Sequence, residues 1–90
     1  MSGSKIKSGL PTMRVKIHTP FTVYFDDEAN SVSAENETGL FDILPRHKNF
    51  MTLLKPCEIT VRTSNGEKKF LISKGVMHVK ADQVVVFLDV

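Results

Sequence analysis

A chain of 90 residues, 41% hydrophobic and 24% charged, has the composition of one small globular domain, which excludes a second domain, a disordered tail protein and a disulfide scaffold. Its net charge of +2 says little about partners, because Lys5, Lys7, Arg14 and Lys16 precede the first acid and the eight basic residues from Phe21 onward face ten acidic ones. Cys57 stands alone, so no internal disulfide forms and a cytosolic setting fits better than a secreted one.

In chain order, residues 1–12 read as a flexible arm, natural or vector-derived, because Ser2, Gly3, Ser4, Ser8 and Gly9 are small and Pro11 closes the segment. A single domain is expected over residues 13–90. Val15 and Ile17 alternate with Arg14, Lys16 and His18, and Val23 and Phe25 alternate with Thr22 and Tyr24; this period of two is that of a strand with one face buried. Thr19-Pro20 separates the two runs, and Asp26-Asp27-Glu28 reads as the next corner. Ile59 and Val61 alternate with Glu58, Thr60 and Arg62. Asn65-Gly66 then predicts a hairpin built on a type I′ turn, which needs positive φ at both central residues. The runs Phe70 to Ser73 and Val76 to Lys80 flank Lys74-Gly75. The last run, Val84 to Leu88, is apolar at every position, which predicts a central strand covered on both faces. Short strands at such close spacing, with no helical stripe anywhere, predict an all-β sandwich or flattened barrel.

The chemistry of catalysis finds little support. His18, His47 and His78 lie in different runs, and Cys57 has no companion at zinc-ligand spacing. No G-x-S-x-G elbow activates a nucleophile, and the five glycines are scattered and form no phosphate-cradling loop. Cys57 is expected to be a small packed residue and the acids at 26–28 plain solvated charges. Nucleic-acid binding is disfavoured, because the six Phe and one Tyr sit in apolar runs and not beside a basic stripe. No run is long and apolar enough to span a bilayer, so any membrane attachment is expected to be indirect, through partners. No catalytic residue, cofactor or metal site is expected.

One stretch escapes strand patterning: Gly39-Leu40-Phe41-Asp42-Ile43-Leu44-Pro45-Arg46-His47, followed by Thr52-Leu53-Leu54-Lys55-Pro56. Together with the later Gly75-Val76-Met77-His78-Val79 and the closing valine-rich run, it resembles the N-terminal domain of the epsilon subunit of F-type ATP synthases, over residues 13 to 90. The resemblance implies a sandwich of about ten strands acting as a non-catalytic rotor subunit. It would bind the gamma subunit on one side and rest on the membrane c-ring at one end, coupling the ring to the central stalk during ion-driven ATP synthesis. It also implies a peripheral location on the cytoplasmic face of a bacterial or archaeal plasma membrane.

Carried over by position, His47 matches the family's loop histidine and Leu40 falls where many members have an acid. Glu37, Asp42 and Arg46 are then expected to supply charge to the same c-ring-facing loop. Arg46 and Cys57 both stand where many members have glycine. Phe41, Ile43, Leu44, Phe50, Leu53 and Leu54 are expected in the core. The chain stops at Asp89-Val90, where most members continue into a C-terminal helical hairpin that restrains ATP hydrolysis; a truncated piece and a short natural form both fit. A gamma-facing apolar patch would favour self-association of the isolated domain. The runner-up reading is a generic β-sandwich interaction module of another complex, and the third a small hydrolase using His47 and Asp42.

Overall fold

The computed structural model describes residues 11–88, so most of the expected arm and the last two residues lie outside the described part. The described chain is all β. Its elements are β1 (Met13–His18), β2 (Val23–Ala29), β3 (Ser31–Asn36), β4 (Gly39–Ile43), β5 (Phe50–Leu54), β6 (Cys57–Thr63), β7 (Gly66–Ile72), β8 (Gly75–Lys80) and β9 (Gln83–Leu88). They form two sheets, one in the order β2-β1-β9-β8-β5 and the other β4-β3-β6-β7. Neither sheet closes on itself, so the architecture is the expected β-sandwich, with nine strands among the described residues where about ten were expected. All pairings are antiparallel except β1 with β9.

The alternation read from the sequence places the core. Val15, Ile17, Met77, Val79, Val84 and Val86 point inward from the five-stranded sheet and meet Val32, Ile43, Ile59 and Val61 from the other, all essentially solvent-free. Burying side chains of this size contributes about 1.5–3 kcal/mol each. Gly75 lets β8 and β9 approach closely, since a Cβ there would stand 2.8 Å from the Phe87 carbonyl oxygen.

Several expectations are corrected. Asp26, Asp27 and Glu28 are not a corner but part of β2, where Asp26 lies opposite Lys16 and Glu28 opposite Arg14. Opposite charges across an antiparallel pair stabilise the strand the acids would otherwise disfavour. The Asn65-Gly66 hairpin forms between β6 and β7, but its loop is Ser64-Asn65, and only Gly66 has positive φ, at 115°. That is the arrangement of a type I turn followed by a glycine bulge, in place of a type I′ turn. The type I′ geometry occurs instead at Ala81-Asp82, between paired Lys80 and Gln83, where φ is 50° and 62°. The patternless stretch holds two edge strands, β4 and β5. Of its expected core residues, Ile43 and Leu54 are buried and Phe41 and Phe50 pack against the core, but Leu44 and Leu53 are exposed.

Candidate docking surfaces

The two outer faces of the sandwich differ in chemistry. On the four-stranded sheet, Ser31, Ser33, Asp42, Glu58, Thr60, Arg62, Glu67 and Lys69 face outward, with Leu40 and Leu71 exposed on its two edge strands. Arg62 binds Glu67 at 3.0 Å and Ser33 at 2.8 Å, and Asp42 accepts a hydrogen bond from Ser33. Half-exposed pairs of this kind contribute only about 0–1 kcal/mol and leave the face well solvated.

The outer face of the five-stranded sheet is graded. Cross-strand register aligns Leu53 on β5 with Val76 on β8, Phe87 on β9, His18 on β1 and Val23 on β2. The next row is Met51, His78, Val85, Lys16 and Asp26, and the third is Lys80, Gln83, Arg14 and Glu28. The face therefore runs from apolar to charged along the strands. At its apolar border the Thr19–Thr22 loop, held by the Thr19 hydroxyl accepting from the Phe21 and Thr22 amides, presents Phe21 at 92% exposure. Leu53 is 69% exposed and Phe87 42%. The His18 ring meets Phe87 edge-on at 5.3 Å, so the one polar member of the first row is itself packed on an aromatic.

This face corrects the reading of the last strand. Val84, Val86 and Leu88 are buried, while Val85 and Phe87 open onto solvent. The strand is central, as expected, but the described residues cover only one of its faces. Clustered apolar residues on an outer face are a common mark of an interaction surface.

The five residues expected in one c-ring-facing loop are not brought together. Glu37 lies in the Glu37-Thr38 turn joining β3 to β4, and Leu40, 83% exposed, is one strand position beyond Gly39. Asp42 faces outward midway along the polar sheet. Arg46 and His47 lie in the loop after β4, at the other end of the sandwich, roughly 13 Å of strand away at about 3.3 Å per residue.

That second end is internally tied. Leu44-Pro45-Arg46-His47 is a turn closed by the His47 amide donating to the Leu44 carbonyl at 3.1 Å. Pro45 takes its second position and Arg46 its third, with φ of 68°, the type II arrangement that favours glycine. The Arg46 amide donates to the Asp82 carboxylate at 2.6 Å, fastening this loop to the β8–β9 turn. His47 donates from Nδ1 to the Lys48 carbonyl at 2.8 Å, and its ring meets Phe50 at 5.6 Å, which in turn meets Phe41 at 5.8 Å. His47 is thus a bracket on the core. It makes no contact with Asp42, so the pair expected of a hydrolase does not form among the described residues.

Cys57 packs against the core and its Sγ lies 3.9 Å from the Glu35 carbonyl. Burial pushes its thiol above the ordinary value, with the Glu35 charge adding to the rise and the Glu35 carbonyl bond and Lys55 opposing it. It is a packed thiol, not an activated one. A cleft of about 360 Å³ opens between β2 and β7, lined by residues that include Tyr24, Phe70 and Leu88, and its lining holds no histidine, cysteine or carboxylate.

The signal sequence reasoning missed was the outward apolar set, Met51, Leu53, Val85 and Phe87, each of which passes as core until register assigns it a face.

The family described as ATP synthase, Delta/Epsilon chain, beta-sandwich domain matches residues 12–90. The chain is 35% identical over 79 residues to the ATP synthase epsilon chain of Clostridium novyi, covering 87% of this chain and 60% of that one. It is 37% identical over 81 residues to that of Stenotrophomonas maltophilia, covering 89% and 58%. The chain therefore spans about 60% of the length of such relatives. Among solved structures, its fold is similar to a chain of the Euglena gracilis mitochondrial ATP synthase OSCP/F1/c-ring assembly, with a TM-score of 0.80 at 17% identity over 98% of this chain and 59% of that one. A chain of the Tetrahymena thermophila central stalk/c-ring gives 0.74 at 19%, over 84% and 62%. By the family match over residues 12–90 and these two epsilon-chain relatives, the chain belongs to the ATP synthase delta/epsilon beta-sandwich family.

Proposed function

We propose that the chain is a non-catalytic central-stalk subunit of an F-type ATP synthase that couples the membrane c-ring to the gamma subunit. The observation that carries this reading is the graded outer face of the five-stranded sheet, apolar along Leu53, Val76 and Phe87, on a domain of this family. Gamma docks on that face. A rotor contact must hold under torque, and a face that excludes water at its centre and ends in charges fixes both affinity and register.

Glu37 and Leu40 carry the contact with polar loops of the c-ring, because they project from the Phe21 end and the Glu37 side chain has no partner among the described residues. Arg46 and His47, committed to Asp82 and Phe50, shape the opposite end, and Asp42 belongs to the solvated face. The complex sits at a membrane, on the cytoplasmic face in a bacterium or archaeon, and this domain reaches the bilayer only through the ring.

The test is co-purification with gamma and the c-ring of the same synthase in detergent. The chain is expected to remain in the complex, and Glu37→Arg to weaken retention on the c-ring while gamma binding stays. Elution of the wild-type chain away from both would contradict the reading.

A further inference from the structure

Among the described residues the sandwich has four edge strands, and they are not protected alike. β2 carries Asp26, Asp27 and Glu28 in succession and a bulge opposite Ile17 and His18. β7 carries Glu67, Lys68 and Lys69. β4 opens on a glycine and carries Asp42. β5, Phe50-Met51-Thr52-Leu53-Leu54, has no charge, no proline, no glycine and no bulge against β8. Charges and bulges are how soluble proteins keep unpaired backbone groups from recruiting another strand. On this sandwich three edges have such a guard and the fourth does not.

We propose that the free edge of β5 is a strand-addition site, on which an extended segment of gamma pairs to make the five-stranded sheet six-stranded. This rests on the docking reading above and says how the docking is made. The edge is continuous with the apolar face, since Met51 and Leu53 begin the two rows that cross it. A strand laid on β5 presents alternate side chains beside Met51 and Leu53, and these are apolar. Exposed Arg46 and Lys48 stand before β5, whereas Lys55 after it is paired with Glu35 at 3.3 Å, so the added strand carries an acidic residue at the end that meets Lys48.

The same charges argue against a second copy as the occupant. Antiparallel pairing of β5 with itself about Thr52 sets the Lys48 end of one chain against the Lys55 end of the other.

Backbone amide exchange by NMR, on the labelled chain alone and saturated with gamma of the same synthase, tests this directly. The fast-exchanging amides of β5 are expected to slow at least tenfold in the complex. Leu53→Lys is expected to weaken binding at least tenfold, and Leu71→Lys, at a still more exposed leucine on the β7 edge, to leave it within twofold. Gamma binding with β5 amides still exchanging as in the free chain, and with Leu53→Lys binding as wild type, would overturn strand addition while leaving docking intact. Absence of any gamma binding by the wild-type chain would contradict docking and strand addition together. Concentration-dependent protection of β5 without gamma would assign the edge to a second copy and overturn the proposal.

Discussion

Arg46 occupies a backbone position that suits glycine. Its φ of 68° costs an L-residue about 1–2 kcal/mol, and the Asp82 carboxylate on its amide offsets part of that cost. Arg46→Gly removes the strain but lengthens the list of unfolded conformations, so a net gain of about 0.5–1 kcal/mol is expected. For a domain this size that is a Tm increase of about 2–8 °C in a thermal melt. A lower Tm would show that the Arg46 side chain supports the fold. Asp82→Ala should cost about 1–2 kcal/mol, because it removes a charge-assisted bond and places a second alanine at positive φ beside Ala81. At Cys57 the folded thiol holds its proton more tightly than the unfolded one. Its contribution to stability is therefore complete below the unfolded pKa and lost as pH rises through the higher folded one. Alkylation by iodoacetamide should be slower at pH 8 in the folded chain than in urea; equal rates would contradict the burial of this thiol.

At the scale of elements, β8 and β9 depend on a missing side chain. Gly75→Ala drives a Cβ to 2.8 Å from the Phe87 carbonyl and 3.1 Å from the Leu88 side chain, and should cost about 1–3 kcal/mol in denaturant midpoint measurements. The strands that alternation reveals are those with one wet and one dry face, such as β1 and β6, and these were legible in the sequence. β5 was not, because Phe50-Met51-Thr52-Leu53-Leu54 is apolar or neutral on both faces and alternation has nothing to contrast. β2 was misread for the opposite reason. Its acids look like a turn until Arg14 and Lys16 are known to lie across from Glu28 and Asp26, and that register is a long-range fact. The hairpin at Asn65-Gly66 was visible, but the turn type depends on which residue takes the positive φ. The expected c-ring loop was legible as residues and not as a site, since strand β4 carries Glu37 and Arg46 to opposite ends.

At the scale of the whole described domain, one outer face is mostly solvated and the other grades from apolar to charged, and the proposed function rests on that difference. The charges of the solvated sheet answer one another through Arg62–Glu67 and Lys69–Glu58. On the other face Leu53 and Phe87 stay open to solvent among the described residues, Phe87 meeting only the edge of the His18 ring. A rigid domain of this kind transmits torque when one face is bonded to the shaft and one end meets the ring, and it needs no chemistry of its own to do so. The measurement that bears most directly on this account is the affinity of the chain for gamma of the same synthase, wild type against Phe87→Glu, with circular dichroism reporting the fold. Phe87 is outward and partly exposed, so the variant should keep the wild-type spectrum and bind at least tenfold more weakly. A natively folded Phe87→Glu chain that binds gamma as tightly as wild type would contradict docking through this face.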